Sequence, residues 1–254
     1  MTIPRSLLPP FFILGCVRSG TTLLRDLLRN NPRLACAEET HFFRWGDPYA
    51  TEKYVGLLRT DAVLQKHRRL DGISEPEFEQ MLLGTTSRSE LQHRYMTEFV
   101  RRNKPMARRW FDKTPQNVYG ALLIATTMPF AKFVHIVRDP VNVAASLRLG
   151  RVMKVERVVG AVNYWNEAVN IISGLKIAYP DRVHELRYED LMQSPERQLQ
   201  ELLAFLNEPA ELGWLKVPEL QGSDHRAESV LNDSEIRRIE QLCASGMKRY
   251  GYLR

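Results

Sequence analysis

A short apolar strand that runs directly into a glycine-bounded loop constrains the fold of this chain more than any other feature. Four consecutive apolar residues, Phe11–Leu14, end at Gly15, and the loop that follows closes at Gly20. Leucines then recur at helical spacing until Pro32 ends the pattern. A short apolar run of this kind is typical of a buried parallel strand. The opening unit is therefore predicted to be a strand, a loop and a helix.

The rest of the chain continues this alternation of strands and helices. Further strands are predicted at Arg108–Phe111, Lys132–Val137 and Val183–Leu186. Helices are predicted at Asn117–Met128, Val141–Arg148 and Val155–Ala178, from Pro195 onward, and after a cap at Ser234. The polar stretch at roughly 46–105 is helical in patches and is predicted to be an insertion. We therefore predict a single α/β domain over residues 1–254, with a central parallel sheet flanked by helices.

Composition limits the classes of function that this chain can have. Of its 254 residues, 44% are hydrophobic and 26% charged, which excludes disorder, collagen and coiled coil. Lys and Arg outnumber Asp and Glu by 36 to 30, and a formal charge of +6 suits an anionic ligand, nucleic acid or an acidic surface. The basic run at 101–109 has no interleaved aromatic residues that would stack on bases. We therefore expect no nucleic-acid partner.

The cysteines and the N-terminal residues predict the compartment. Cys16, Cys36 and Cys243 are far apart, with no CxxC pair and no His at metal-binding spacing. Neither a disulfide framework nor a bound metal is expected. The apolar stretch Leu7–Leu14 is interrupted by two prolines and is too short to span a bilayer. We expect a cytoplasmic protein without a signal peptide or an integral membrane segment, and no feature of the sequence fixes its oligomeric state.

The loop after the first strand has the composition of an anion cradle. Small residues at Gly15, Ser19 and Gly20 let backbone N–H groups approach phosphate oxygens, and the helix N-terminus adds its dipole. The spacing matches the nucleoside-triphosphate loop GxxxxGK[ST], except that Thr21 replaces its Lys and Arg18 supplies a cation inside the loop. A nucleotide phosphate is the natural ligand, and loss of the Lys weakens a kinase or ATPase interpretation. A turn that merely joins strand to helix is the alternative.

The segment Phe11–Leu24 resembles the 5′-phosphosulfate loop of sulfotransferases that use 3′-phosphoadenosine 5′-phosphosulfate (PAPS). A second landmark of that family is an Arg at the end of a strand, with a Ser eight residues later, and both hold the 3′-phosphate. Here Arg138 follows a predicted strand and Ser146 lies eight residues on. The resemblance extends from about Phe11 to Leu206 and implies a P-loop-like sulfotransferase fold.

The resemblance also implies a role for individual residues. Backbone and hydroxyl groups of the loop are expected to hold the 5′-phosphosulfate, through Ser19, Gly20, Thr21 and Thr22. Arg18 and Lys113 would place positive charge near the leaving oxygen. Tyr188, in a late segment that resembles the family's strand-end motif, would contact the nucleotide. Ser223 and Arg226 are the candidates for a C-terminal loop over the donor, with a solvated polar loop as the alternative.

A glutamate 21 residues after Arg18 is the expected catalytic base. Glu39 occupies the position of the base in tyrosylprotein sulfotransferases, and His41 is a second group that can accept a proton. If the segment is extended, Glu38 faces the other way. His41 and Trp45 stand where tyrosylprotein sulfotransferases use Arg to grip acidic peptides.

The expected function is in-line transfer of a sulfuryl group from PAPS to an acceptor hydroxyl on a small molecule, carbohydrate or lipid-like compound. The product of the donor would be 3′,5′-adenosine bisphosphate, and no metal is expected. Three alternatives stay open: a protein-tyrosine sulfotransferase, a P-loop phosphotransferase and a nucleotide-binding module without catalysis.

Overall fold

The structure, a computed structural model, describes residues 7–150, 153–216 and 227–253. Its strands are β1 (Phe11–Leu14), β2 (Leu34–Ala35), β3 (Arg109–Lys113), β4 (Lys132–Val137) and β5 (Val183–Arg187). They form one sheet in the order β2-β3-β1-β4-β5, and both β1 and β2 run parallel to β3. The apolar run of β1 lies at the centre of this sheet and is completely buried. The predicted parallel sheet is confirmed.

Helices flank the sheet, as predicted, and fill the insertion. Their bounds are α1 (Thr21–Arg29), α2 (Glu52–Thr60), α3 (Ala62–Leu70), α4 (Glu75–Leu83), α5 (Arg88–Asn103), α6 (Ala121–Thr127), α7 (Pro140–Arg148), α8 (Val158–Ala178), α9 (Tyr188–Gln193), α10 (Pro195–Leu206), α11 (Ala227–Val230) and α12 (Asp233–Tyr250). Helices α2 to α5 occupy the predicted insertion. Thr51, Asp61 and Ser87 each accept a hydrogen bond from the first turn of the helix that they precede. None of the described helices combines the length and apolarity needed to cross a membrane.

The helix predicted at Asn117–Met128 is shorter than expected. The chain first forms a 3₁₀ turn over Pro115–Gly120, and only α6 is α-helical. At Gly120 a Cβ would lie 2.4 Å from the carbonyl oxygen of Phe43, so the chain passes too close to its neighbour for any side chain. Long-range packing of this kind leaves no local trace in the hydrophobic pattern.

The predicted cap of the last helix is wrong by two residues. Asn232, not Ser234, is the N-cap of α12: its side-chain oxygen accepts the N–H of Glu235 at 3.0 Å. The Glu235 carboxylate accepts the N–H of Asn232 at 3.0 Å in return. The Ser234 hydroxyl donates to the same Asn232 oxygen at 2.6 Å. This reciprocal pair satisfies two N–H groups, whereas a Ser234 cap would lack its glutamate partner.

By their contacts the residues divide into two compact units. The first unit contains the chain up to Leu14 together with Leu24–Phe133, and the second contains Gly15–Leu23 together with the chain from Val134 onward. Each unit has its own packed interior and is described by itself below.

Aromatic packing characterises both interiors. In the first unit, the rings of Phe11 and Phe111 stack at 4.7 Å between centroids. In the second unit, Gly246 of α12 lies against Trp165 of α8, and a Cβ there would be 2.5 Å from the indole ring. A larger residue than glycine would push the last helix away from α8.

Candidate functional site

The loop at 15–20, in the second unit, has a backbone conformation that requires glycine at its two ends. Gly20 has a φ of +93°, and a Cβ there would lie 2.4 Å from Cδ2 of Tyr188. At Gly15 a Cβ would lie 2.7 Å from the carbonyl oxygen of Ile136. Arg18, which carries a side chain, also has a positive φ of 70°. Backbone strain of this kind clusters at ligand-binding sites.

Polar groups line the junction between this loop and α1. Ser19 is completely buried, and its hydroxyl has no hydrogen-bond partner of good geometry among the described residues. Thr21 and Thr22 open α1, whose first turn holds no acidic residue. The N–H groups and the dipole at a helix N-terminus attract an anion. The junction therefore fits a phosphate or phosphosulfate group.

A cavity of about 220 Å³ in the second unit brings three predicted donor-binding residues together. The Nε of Arg18 donates to the hydroxyl of Ser146 at 3.0 Å. Arg138 follows β4, is 7% exposed, and places its guanidinium 4.4 Å from the ring centre of Tyr188. The cavity is lined by Arg18, Arg138, Asn142, Ala145, Ser146, Leu149 and Ala227. Two guanidinium groups on one cavity indicate an anionic ligand.

Residues distant in sequence hold the backbone at Arg138, and sequence reasoning missed them. Trp165 Nε1 donates to the carbonyl oxygen of Arg138 at 2.8 Å. The next residue, Asp139, donates its N–H to Oε1 of Glu189 at 3.0 Å. Oε2 of Glu189 accepts the hydroxyl of Tyr252 at 2.7 Å. These partners come from α8, α9 and the C-terminal end, and no motif spacing marks them.

In the first unit, three predicted catalytic residues form one cluster. Lys113 is the last residue of β3, two positions beyond the predicted end of that strand, and its Nζ hydrogen-bonds Oε1 of Glu39. Nε2 of His41 lies 3.4 Å from Oε2 of Glu39. The exposed fraction of the side chain is 2% for Lys113 and 25% for Glu39. A solvent-accessible carboxylate is thus backed by a buried ammonium group.

The cluster keeps Glu39 ionised. Burial raises the pKa of Glu39, but the hydrogen bond from His41 and the charge and hydrogen bond of Lys113 outweigh burial and lower that pKa to about 2. The carboxylate is therefore charged at neutral pH and has lone pairs to accept a proton.

A buried carboxylate beneath Glu39 fixes the segment that carries it. Oδ2 of Asp112 accepts the hydroxyls of Thr40 at 2.8 Å and Thr114 at 3.2 Å, and Oδ1 accepts the amide of Asn117 at 3.0 Å. Oγ1 of Thr114 accepts the backbone N–H of Thr40 at 3.0 Å. Burial raises the pKa of Asp112, and these hydrogen bonds oppose that rise. None of these roles was predicted; the available signal is Asp112 itself, a carboxylate directly after the apolar pair Trp110 and Phe111.

Glu38 and Glu39 have separate partners. The carboxylate of Glu38 pairs with Arg25 at 3.2 Å and Arg29 at 3.0 Å. The chain then turns at His41, where φ is +57°, so the segment is not one continuous strand. The turn still leaves His41 beside Glu39.

Two predicted residues, Ser223 and Arg226, lie outside the described residues. Arg148, near the end of α7, pairs with Glu235 at 2.6 Å and donates to the carbonyl oxygen of Val230. It therefore ties α7 to the C-terminal helices.

Comparison with known proteins agrees with this geometry. Residues 9–211 match the model of the sulfotransferase family. The ω-hydroxy-β-dihydromenaquinone-9 sulfotransferase Stf3 of Mycobacterium tuberculosis is 28% identical over 78% of this chain and 62% of its own length. Protein-tyrosine sulfotransferase 1 of Danio rerio is 25% identical over 80% of this chain and 54% of its own length. The chain thus spans between about half and two thirds of the length of these two relatives.

A solved structure shares the fold. The sulfotransferase domain of the Synechococcus PCC 7002 olefin synthase superposes with a TM-score of 0.60, at 23% identity, over 92% of this chain and 84% of that domain. Because the family match covers most of the sequence and this architecture agrees with it, the chain belongs to the sulfotransferase family.

Proposed function

We propose that this protein transfers a sulfuryl group from PAPS to an acceptor hydroxyl and releases 3′,5′-adenosine bisphosphate. The observation that carries the proposal is the cavity of the second unit, which Arg138 lines together with Arg18 and Ser146, and where Arg18 donates to the hydroxyl of Ser146. A phosphate monoester carries nearly two charges at neutral pH, and a guanidinium matches two of its oxygens at once. A donor with a 3′-phosphate carries such a group on its ribose, whereas ATP has no phosphate at that position.

The loop and the start of α1 are proposed to hold the 5′-phosphosulfate. Ser19, Gly20, Thr21 and Thr22 would provide backbone N–H groups and hydroxyls. The buried hydroxyl of Ser19 supports this assignment, since a ligand oxygen would satisfy it. Tyr188 is proposed to contact the nucleotide, and its ring already lies against Gly20 and Arg138.

In the proposed reaction the acceptor oxygen attacks sulfur and the bond from sulfur to the bridging oxygen breaks. The bridging oxygen leaves with the 5′-phosphate, and Glu39 takes the proton of the acceptor hydroxyl. Lys113 and Arg18 offset the negative charge that builds up on the leaving oxygen. The partly exposed, ionised carboxylate of Glu39 supports its role as base, with His41 as the alternative proton acceptor.

Lys113 would couple removal of the acceptor proton by Glu39 to departure of the bridging oxygen. While it pairs with Glu39, it lowers the pKa of that carboxylate and weakens it as a base. Movement of the ammonium group to the leaving oxygen would remove one of the two groups, with His41, that lower this pKa. The base is then strongest when the donor is engaged.

The acceptor is proposed to be a hydroxyl of a small molecule, carbohydrate or lipid-like compound. The names of the two relatives describe a hydroxylated menaquinone and protein tyrosine. Protein tyrosine is the second candidate for this chain, supported by the Danio rerio relative. His41 and Trp45, in place of the arginines that would grip an acidic peptide, favour the first candidate. We also propose a cytoplasmic location and no metal requirement.

Calorimetric titration of the purified protein with 3′,5′-adenosine bisphosphate tests the donor site. We expect tight binding that Arg138→Ala removes and that magnesium ATP does not match. Arg197→Ala is the matched control, because Arg197 is an exposed arginine of the second unit that pairs only with Glu201 at 2.9 Å among the described residues. Preference for magnesium ATP would instead support a P-loop phosphotransferase.

Sulfuryl transfer from radiolabelled PAPS to a panel of phenols, sugars, long-chain alcohols and acidic tyrosine peptides identifies the acceptor class. Donor binding without transfer to any class of hydroxyl would favour a nucleotide-binding module without catalysis. Transfer confined to acidic tyrosine peptides would support the second candidate.

A further inference from the structure

One polar side chain in the wall of the donor cavity has no role so far, that of Asn142. Three residues of α7 line this cavity, Asn142, Ala145 and Ser146, together with Leu149, which directly follows the helix. Their spacing of i, i+3, i+4 and i+7 places them on one face of the helix. Asn142 and Ser146 supply all the polar side-chain groups of that face.

The amide of Asn142 is available to a ligand. Its side chain is half-buried and makes no hydrogen bond to any residue that the structure describes. Other asparagines of the protein are used structurally: Nδ2 of Asn166 donates to the carbonyl oxygen of Leu242 at 3.0 Å, and Asn117 uses both ends of its amide. A half-buried amide carries two donors and one acceptor, which leaves its polar atoms unsatisfied unless water or a ligand meets them.

Asn142 lies midway in sequence between the two residues that are proposed to bind the 3′-phosphate. It lies four residues after Arg138 and four before Ser146. On a helix this separation puts its Cα about 6 Å from that of Ser146 along the axis, on the same face. The two polar groups of α7 are thus one turn apart on a wall that they share with both guanidinium groups.

We infer that Asn142 is a further donor-binding residue, whose amide N–H donates a hydrogen bond to the 3′-phosphate. This inference rests on the proposed function, because it takes the 3′-phosphate to be the anion in the cavity. Arg138 supplies charge and a two-pronged contact, Ser146 supplies a hydroxyl donor, and Asn142 supplies a neutral donor to a remaining phosphate oxygen. Asn142 therefore helps the protein to select a 3′-phosphorylated nucleotide.

Titration of wild type and variants with 3′,5′-adenosine bisphosphate and with 5′-adenosine monophosphate tests this role. Asn142→Ala is expected to bind the bisphosphate about tenfold more weakly, the cost of one hydrogen bond to a charged group. Asn142→Asp has the same size but adds a negative charge, and is expected to lose about a further tenfold or more. Affinity for the monophosphate, which lacks the 3′-phosphate, should not change in Asn142→Ala. Thermal melting checks that each variant is folded, and Asn166→Ala is the matched control.

Each result decides between alternatives. Bisphosphate binding by Asn142→Ala equal to that of wild type would overturn the inference while leaving the donor site intact. Equal losses for both nucleotides would also overturn it, because the amide would then act elsewhere than on the 3′-phosphate. Failure of the wild type itself to bind the bisphosphate would contradict the proposed function, and this outcome is visible before any variant is made. If the alanine variant does not fold, bisphosphate binding by Asn142→Asp equal to that of wild type would overturn the inference, because a carboxylate beside the 3′-phosphate must repel it.

Discussion

The two compact units handle charge in opposite ways. On the donor side, Arg18 donates to a neutral hydroxyl of Ser146 and forms no ion pair within the described part of the chain. On the base side, the charges of Lys113 and Glu39 neutralise each other. An anion can therefore bind at the donor cavity without breaking an ion pair with Arg18. At the base, the ammonium group of Lys113 is already paired with a carboxylate before any substrate binds.

This contrast separates binding from turnover. Changes on the donor side should alter nucleotide affinity, whereas changes at the Glu39 cluster should alter the rate of transfer and leave affinity nearly unchanged. A variant that altered both by equal factors would show that the division is wrong.

The largest expected effect is that of Glu39→Gln on turnover. Gln keeps the size and one acceptor oxygen for Lys113 but cannot take a proton, so kcat should fall by about 10²- to 10⁴-fold. Affinity for 3′,5′-adenosine bisphosphate should stay within about twofold, since no donor group contacts this side chain in the proposed mechanism. Steady-state kinetics and calorimetry on the same preparation measure both quantities.

The neighbouring carboxylate supplies the control for this variant. Glu38→Gln removes charge from a group that pairs with Arg25 and Arg29, and should keep turnover close to that of wild type. Full turnover in Glu39→Gln would transfer the role of base to His41, and His41→Asn would then be the variant that abolishes transfer.

A smaller effect is expected from Gly20→Ala, on the donor side. Alanine would have to adopt a φ of +93° and would approach the ring of Tyr188 to 2.4 Å. We expect a loss of about 2 kcal/mol or more in the free energy of unfolding, together with weaker bisphosphate binding. Denaturant titration and calorimetry measure the two effects.

Gly174→Ala is the matched glycine control. Gly174 lies within α8, and nothing stands within 4 Å of the place where its Cβ would be. That substitution should stabilise the helix by up to about 1 kcal/mol. Equal behaviour of the two variants would show that the loop conformation is not required.

The effect of Asp112→Asn should be smaller again and should fall on kcat. The amide cannot accept hydrogen bonds with both ends, so at least one of the donors Thr40, Thr114 and Asn117 loses its partner, at a cost of about 1–3 kcal/mol in stability. Because Thr40 adjoins Glu39, we expect kcat to fall by about tenfold with an unchanged KM for PAPS. Asp181→Asn, at an exposed position, is the control. A rise in KM with normal kcat would place Asp112 on the donor side instead.

The features that the sequence predicts correctly are those whose residues lie close together in the chain. The strand and loop of 11–20, and the Arg138 to Ser146 spacing, follow from residues that are close together in the chain, and the structure brings Arg18, Arg138 and Ser146 to one cavity. The limits of β4, which is apolar after its first residue except for His135 and completely buried there, were also predicted to the residue.

The parts that were missed depend on contacts between distant segments. The hydrogen bond from Trp165 to Arg138 joins residues 27 apart, and the one from Thr40 to Asp112 joins residues 72 apart. Nothing in the local pattern distinguishes that tryptophan from an ordinary core residue. The constraint that Tyr188 places on Gly20 is of the same kind, because a sequence shows that a glycine is present but not what it must avoid.

The smallest expected effect concerns the dependence of stability on pH, and it tests the ion pair directly. The pKa of Glu39 is lowered from 4.5 to about 2 in the folded protein, so its pairing stabilises the fold above the ordinary pKa. This contribution is lost as the pH falls from about 4.5 through 2. Between pH 6 and pH 4 the loss amounts to about 1 kcal/mol. Glu39→Gln lacks this titration, so its stability should fall by about 1 kcal/mol less than that of wild type over the same interval. Denaturant titrations at the two pH values measure the difference, and the carboxylates that both proteins share cancel in it. Parallel pH profiles would mean that Lys113 and His41 do not lower the pKa of Glu39 in the folded protein. The contrast between a paired charge on the base side and, within the described residues, an unpaired Arg18 on the donor side would then have no energetic consequence.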